Sequence, residues 1–288
     1  MRDRIIYIET STSLTSVALS EEGRIIAYKD TEVPRSQASL TAVFLDEMLR
    51  EKGLTVKDCD AVCVSKGPGS YTGLRVGSST AKGLCFGADL PLIAIGTLDT
   101  LVAQAVDSGL VPEGCRYIIP MIDARRMEVY TAVFSPDGKQ LTETAPVIVD
   151  DTTFASYLSE GPVLFIGDGA LTCREVISGT VQAGADGKKA LLRAPGRGRD
   201  GAEGDVGSPG AAGDSRGQSP LIVAPLNPSP APHSPAANAK FVDCCPRADA
   251  MLRPAMAAYK EKRFEDTAYF EPFYLKQFVA TVSAKKLF

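Results

Sequence analysis

A succession of three short strands, a helix, a strand and a helix occurs twice in this 288-residue chain, and that repetition limits the fold more than any single motif does. The first copy opens with apolar, β-branched runs at residues 4–9, 14–20 and 24–31, joined by short polar turns. A helix is expected from Gln37 to Lys52, a strand from Ala61 to Ser65, a second helix from Tyr71 to Gly87, a strand from Leu92 to Ile95 and a helix from Leu98 to Val106. The pattern restarts with strands expected at 116–123, 127–135 and 139–149. A helix at 152–159, a strand at 163–167 and a helix at 170–178 follow. Ser16–Arg24 and Thr131–Lys139 also look alike in sequence, as do Ile8-Glu9 and Ile122-Asp123.

Two βββαβα units facing one another form the two-lobed α/β architecture of the actin/Hsp70-like (ASKHA, ribonuclease H-like) proteins. The expected division is an N-terminal lobe at 1–106, a C-terminal lobe at 107–183 and a return to that lobe with a packing tail at 239–288. Between them, residues 184–238 are dominated by Gly, Pro, Ala and Ser, and glycine recurs every third position from Gly198 to Gly213. That run is short, has little proline and is flanked by no other triplets, which excludes collagen. It buries too little apolar surface to offset its chain entropy, so it reads as a disordered insertion in a surface loop. A helix at Pro246–Arg263 and an aromatic tail at Tyr269–Leu275, packed back on the body, complete the expectation.

Composition removes several functions. The single histidine, His233, lies in the low-complexity stretch. A zinc site with two His ligands is therefore impossible, and a Ser-His-Asp triad would lack a rigidly held base. The net charge of -4 argues against a protein that grips nucleic acid unaided. No apolar run is long enough for a membrane span, and the N-terminus lacks the h-region of a signal peptide. Seven unpatterned cysteines then fit reduced thiols and a cytoplasmic location.

Four segments could carry chemistry. Glu9-Thr10-Ser11-Thr12-Ser13 puts an acid and hydroxyls at the tip of the first hairpin but lacks glycines for close approach to phosphate. It is either a polar turn or a residual contact to nucleotide or phosphate through Glu9, Thr10 and Ser11. Lys66-Gly67-Pro68-Gly69-Ser70-Tyr71-Thr72-Gly73-Leu74-Arg75-Val76-Gly77 joins a strand to a helix start. That place suits anions, with Lys66 and Arg75 as candidate cations, or else its small residues serve close packing. The helix 37–52 has an apolar band wider than one face. If Leu40, Phe44 and Met48 (or Val43) face the core, then Leu45, Leu49 and Ala42 face elsewhere, and the helix is either a partner surface or deeply buried. At the second hairpin, Asp123-Ala124-Arg125-Arg126 could hold a nucleotide or carboxylate through Asp123 and Arg125, or form a solvated turn.

The runs Ile8–Thr12, Gly67–Gly77 and Asp123–Arg126 with Glu128-Val129-Tyr130 resemble the bacterial TsaB (YeaZ) family over residues 4–183 and, weakly, 241–275. Met127 stands where that family commonly has glycine. The resemblance implies a non-catalytic subunit that pairs with TsaD, with the ATPase TsaE joining them. The assembly transfers threonylcarbamoyl, made as an adenylate by TsaC, to N6 of adenosine 37 in tRNAs reading ANN codons. It implies no catalytic residue and no metal in this chain, tRNA contact only through the complex, and no resident cofactor beyond ATP or ADP at the subunit boundary. It places the partner surface, shared with a homodimer when TsaD is absent, on the two N-lobe helices. The residues concerned are Leu40, Phe44, Leu45, Met48, Leu49, Tyr71, Leu74, Ser78 and Lys82. The competing readings are a stand-alone actin-like ATPase or small-molecule kinase using Glu9 and Asp123, and a protease.

Overall fold

The computed structural model describes residues 3–33, 37–179 and 235–275. The expected insertion lies outside these up to residue 234, as do His233, Arg35 and Ser36. Residues 235–238, assigned to that insertion, form a short 3-10 turn, and the Asn238 amide donates to the Leu158 carbonyl.

Ten strands make two five-stranded sheets. In the first, β1 (Ile5–Glu9), β2 (Thr15–Glu21), β3 (Arg24–Thr31), β4 (Ala61–Ser65) and β5 (Leu92–Ile95) lie in the order β3-β2-β1-β4-β5. In the second, β6 (Tyr117–Asp123), β7 (Glu128–Thr131), β8 (Ala145–Ile148), β9 (Val163–Ile166) and β10 (Ala239–Val242) lie in the order β8-β7-β6-β9-β10. Each sheet has two antiparallel pairings, then two parallel ones. The duplicated actin-like unit is thus present, and its second copy takes its fifth strand from beyond residue 234.

The helices are α1 (Gln37–Glu51), α2 (Tyr71–Ala88), α3 (Thr97–Asp107), α4 (Ala155–Glu160), α5 (Asp168–Ile177) and α6 (Leu252–Lys260). The parallel strands are apolar on both faces, as doubly covered sheets require. On one face of the first sheet, Ile6, Ile8, Val17 and Val64 meet α1 and α2. Its other face, with Ile5, Tyr7, Cys63 and Ile93, is covered by Ala248, Met251, Ala255 and Ala258. On the second sheet, Ile119, Met121 and Phe165 meet α4 and α5, while Ile118, Ile122 and Leu164 meet Leu98, Leu101 and Ala105 of α3. The expected lobe boundaries therefore need correction. Residues 97–106 cover the second sheet, and 248–258, expected to return to the second lobe, cover the first.

Several elements are shorter than expected, β7, β8 and α6 most of all. After Thr131 regular pairing is interrupted: Phe134 makes a single bridge to Ile118 of β6 and another to Gln140 around the Pro136-Asp137-Gly138 turn, and β8 starts only at Ala145. The helix expected from Pro246 begins as a 3-10 turn at Ala248–Met251, and α6 starts at Leu252. Pro254 has no N–H, so it fits only in the first turn of an α-helix. Among the described residues, no helix is long and apolar enough to cross a membrane.

Candidate functional site

The hairpin after β1 is pressed against the start of α2. A Cβ on Gly69 would stand 2.3 Å from the Ser11 carbonyl oxygen, and one on Gly73 2.0 Å from that of Thr10. On Gly77 it would stand 2.4 Å from Thr10 Oγ1. The Ser70 N–H donates to the Ser11 carbonyl (2.6 Å), and Thr10 Oγ1 donates to the Gly73 carbonyl (2.8 Å). The glycines thus serve close packing, and hairpin backbone occupies the hollow they leave. Gly67, at φ +99°, is needed for the tail: its Cβ would meet the Phe273 carbonyl oxygen at 2.8 Å.

Glu9 lies buried beneath this hairpin. One carboxyl oxygen accepts from the Ser11 N–H (2.7 Å), and Oε2 has no hydrogen-bond partner. Burial pushes its pKa up to about 7, against the opposing pull of the Ser11 and Ser65 hydroxyls and nearby backbone N–H groups. A carboxyl raised in the folded state binds its proton more tightly there than in the unfolded chain. The contribution of Glu9 to stability is therefore fullest at acid pH and is lost as pH rises from the ordinary carboxylate range to about 7. Glu9→Gln should flatten that fall, which is on the order of 3 kcal/mol at ~1.4 kcal/mol per pH unit. Urea melts across pH 4–8 with parallel curves for both proteins would remove the claim.

A cleft of about 640 Å³ lies between the two hairpins. Ser11, Thr12 and Ser13 line one side, Asp123, Ala124 and Arg125 the other, with Asp168, Tyr71, Tyr130 and Tyr274 around them. Asp168, at the start of α5, accepts from the Asp123 N–H (2.9 Å). Burial first, and then the charges of Asp123 and Asp243, raise its pKa to about 6. Sequence reading missed Asp168 because α5 was expected to start at 170. The signal was Gly167-Asp168-Gly169 directly after a strand. Of the expected phosphate contacts, Ser11, Asp123 and Arg125 line the cleft. Glu9, Thr10, Lys66 and Arg75 do not: Lys66 acts on Asp99, and Arg75 lies outside, bonded to the Tyr71 hydroxyl.

The turn after Asp123 holds Arg125, Arg126 and Met127 at φ +69°, +59° and +58°. Three successive non-glycine residues in this region carry strain of ~1 kcal/mol or more each. Exposed Arg126→Gly should raise stability by about 0.5–1 kcal/mol. A lowered thermal midpoint would contradict this.

The outward face of α1 and α2 differs from expectation. Leu45 (3% exposed), Met48 (0%) and Leu49 (5%) are core, because α1 lies over β2, β3 and α2 with its Thr41-Leu45-Met48-Leu49 stripe inward. Leu74 and Ser78 are also buried, and Lys82 donates to the carbonyls of Ala268 and Phe270, holding the tail. These six residues are therefore engaged within the chain. Leu40, Phe44 and Tyr71 stay partly exposed, and Val43 (44%) and Phe86 (90%) join them. Nothing lies within 4 Å of a Cβ built on Gly83 or Gly87 of α2, so nothing in this chain requires glycine there.

Over 167 residues the chain is 31% identical to the tRNA threonylcarbamoyladenosine biosynthesis protein TsaB of Bacillus subtilis, covering 57% of this chain and 70% of that protein. The chain belongs to the TsaB (YeaZ) family. The Escherichia coli TsaB is 35% identical over 134 residues, 46% of this chain and 56% of that protein, so this match spans little more than half of that relative. A solved YeaZ from Pseudomonas aeruginosa shares the fold with a TM-score of 0.64 at 20% identity, covering 95% of this chain and all of that one. The family model described as TsaD, tRNA N6-adenosine threonylcarbamoyltransferase, matches residues 32–179. Within the TsaB run Gly67–Gly77, all four glycines therefore have structural reasons, and at the α2 start the Ser70 hydroxyl accepts from the Gly73 N–H.

Proposed function

We propose that this protein acts in threonylcarbamoyladenosine formation on tRNA as a non-catalytic subunit that binds and stabilises TsaD. One observation carries the reading: the hollow made by Gly69, Gly73 and Gly77 is filled by the carbonyls of Ser11 and Thr10 and the Thr10 hydroxyl, leaving no cradle for a phosphate chain. That tells against a stand-alone ATPase or kinase, as does Glu9 lying beneath the hairpin and outside the cleft. The outward face of α1 and α2 supports docking. Mid-helix glycine costs ~1 kcal/mol relative to alanine, and Gly83 has no neighbour in the chain to explain it. A second helix approaching closely would explain it.

In this reading TsaD supplies the active site, TsaE joins the pair, and ATP or ADP sits at the boundary with TsaD. tRNA is reached only through the assembly, the location is the cytoplasm, and the same face makes a homodimer when TsaD is missing. The test is reconstitution of threonylcarbamoyl transfer to adenosine 37 with TsaC, TsaD and TsaE, with and without this chain. The modified nucleoside should form only in its presence. Equal modification without it, or modification by this chain in place of TsaD, would sink the reading.

A further inference from the structure

We propose that Cys244 and Cys245, neighbours in the link between the two sheets, form a redox-sensitive pair that a disulfide oxidant closes into a bond between them. All seven cysteines are free thiols, and Cys59, Cys63, Cys85, Cys115 and Cys173 are buried. Cys244 and Cys245 are the two that stay partly exposed. Their segment is anchored at both ends. The Gly167 N–H donates to the Val242 carbonyl at the end of β10 (3.1 Å), and the Ala248 N–H donates to Ser16 Oγ of β2 (3.0 Å). Between these anchors the two side chains turn to different sheets. Cys244 packs against the cluster of Ile118, Ile122 and Leu164 on the second sheet. Cys245 Sγ shares a hydrogen bond of 3.6 Å with Ser13 Oγ, in the hairpin of the first. Closing the bond removes the Cys245 S–H and draws its sulfur from that hairpin toward Cys244.

Neighbouring Cα atoms are about 3.8 Å apart, short of the ~4.4–6.8 Å of ordinary disulfides. The bond is therefore strained and easily reduced, which suits a reversible switch rather than a permanent staple. Burial, then the charges of Cys245 and Asp243, raises the Cys244 thiol to about 12, so Cys245 attacks first. With glutathione disulfide as oxidant, the Cys245 thiolate bonds to one glutathione sulfur. The oxidant's S–S bond breaks, and the other glutathione leaves as a thiolate and takes up a proton. Capping Cys245 removes the charge that helps hold the Cys244 proton. Cys244 then gives that proton to water and attacks the Cys245 sulfur, which releases the second glutathione. Two protein thiols are oxidised and one glutathione disulfide is reduced to two thiols.

The full chain would be equilibrated in glutathione buffers of rising disulfide content, quenched with acid, alkylated and digested with trypsin. The peptide Phe241–Arg247 holds both thiols and no other cysteine. In oxidising buffer it should escape alkylation and be lighter by two hydrogens, and reduced glutathione should restore it. The amide resonances of Ser13 and Ala248 should move with the same midpoint. Cys244→Ser should stop at a glutathione adduct on Cys245, and Cys245→Ser should leave Cys244 open to alkylation. Should either variant fail to fold, the peptide map of the unaltered chain decides. The proposal falls if both thiols stay open to alkylation in the most oxidising buffer, or if the hydrogens are lost from other cysteines. It falls equally if reduced glutathione cannot reopen the bond, or if Ser13 and Ala248 do not respond. It does not depend on partnership with TsaD, whose test is tRNA modification.

Discussion

Gly73→Ala should destabilise the protein by about 3 kcal/mol or more, placing one added methyl among the most damaging single changes. The new Cβ would stand 2.0 Å from the Thr10 carbonyl oxygen, which is backbone and cannot rotate aside. Relief requires α2 to move away from the β1–β2 hairpin. That movement would disturb the bond from Thr10 Oγ1 to the Gly73 carbonyl and the one from the Ser70 N–H to Ser11. It would also open the layer where Leu74 and Ala81 are buried. Equilibrium urea unfolding measures the cost directly. A loss below about 1 kcal/mol, within the range of an ordinary substitution, would mean the hairpin yields easily and the close-packing account is wrong.

Gly83→Leu should have the opposite profile: an intact fold and lost association. Ten residues along the same helix, the space beside Gly83 is open. Alanine there should raise helix stability by up to ~1 kcal/mol, because glycine is the costlier helix residue. Leucine should also be tolerated by the isolated chain. If TsaD brings a helix against this face, however, the leucine side chain would hold the two apart. A penalty of ~2.7 kcal/mol, comparable with loss of an interface hot spot, weakens binding about a hundredfold. Calorimetric titration of TsaD with the unaltered chain, Gly83→Ala and Gly83→Leu separates the effects. Unchanged affinity for Gly83→Leu would remove α2 as the docking helix.

Most strands and helices between residues 4 and 107 were legible because apolar runs, glycines and polar turns mark them locally. The inward stripe of α1 was not. Leu40-Phe44-Met48 and Thr41-Leu45-Met48-Leu49 both keep helical spacing, and only the neighbouring β2, β3 and α2 select the second. Of the hairpin residues expected to contact phosphate, Ser11, Asp123 and Arg125 line the cleft, whereas Glu9 and Thr10 do not. Lys66 and Arg75 flank the glycine run in sequence, but the backbone carries them away from the cleft. Asp168 was hidden by a two-residue error in the start of α5. The exchange of covering segments between the sheets leaves no local signature, because Ile93 and Met251 meet across a long stretch of chain.

That exchange has a consequence for how the polypeptide matures. During synthesis, Ile5, Tyr7, Cys63 and Ile93 are made well before Met251 and Ala255, which shield them. The last strand of the second sheet, β10, is equally late. A nascent chain stalled before residue 239 thus presents one oily sheet face and one unpaired β9 edge at the same time. Neither half is a self-sufficient folding unit, and premature termination should yield a client for chaperones or proteases.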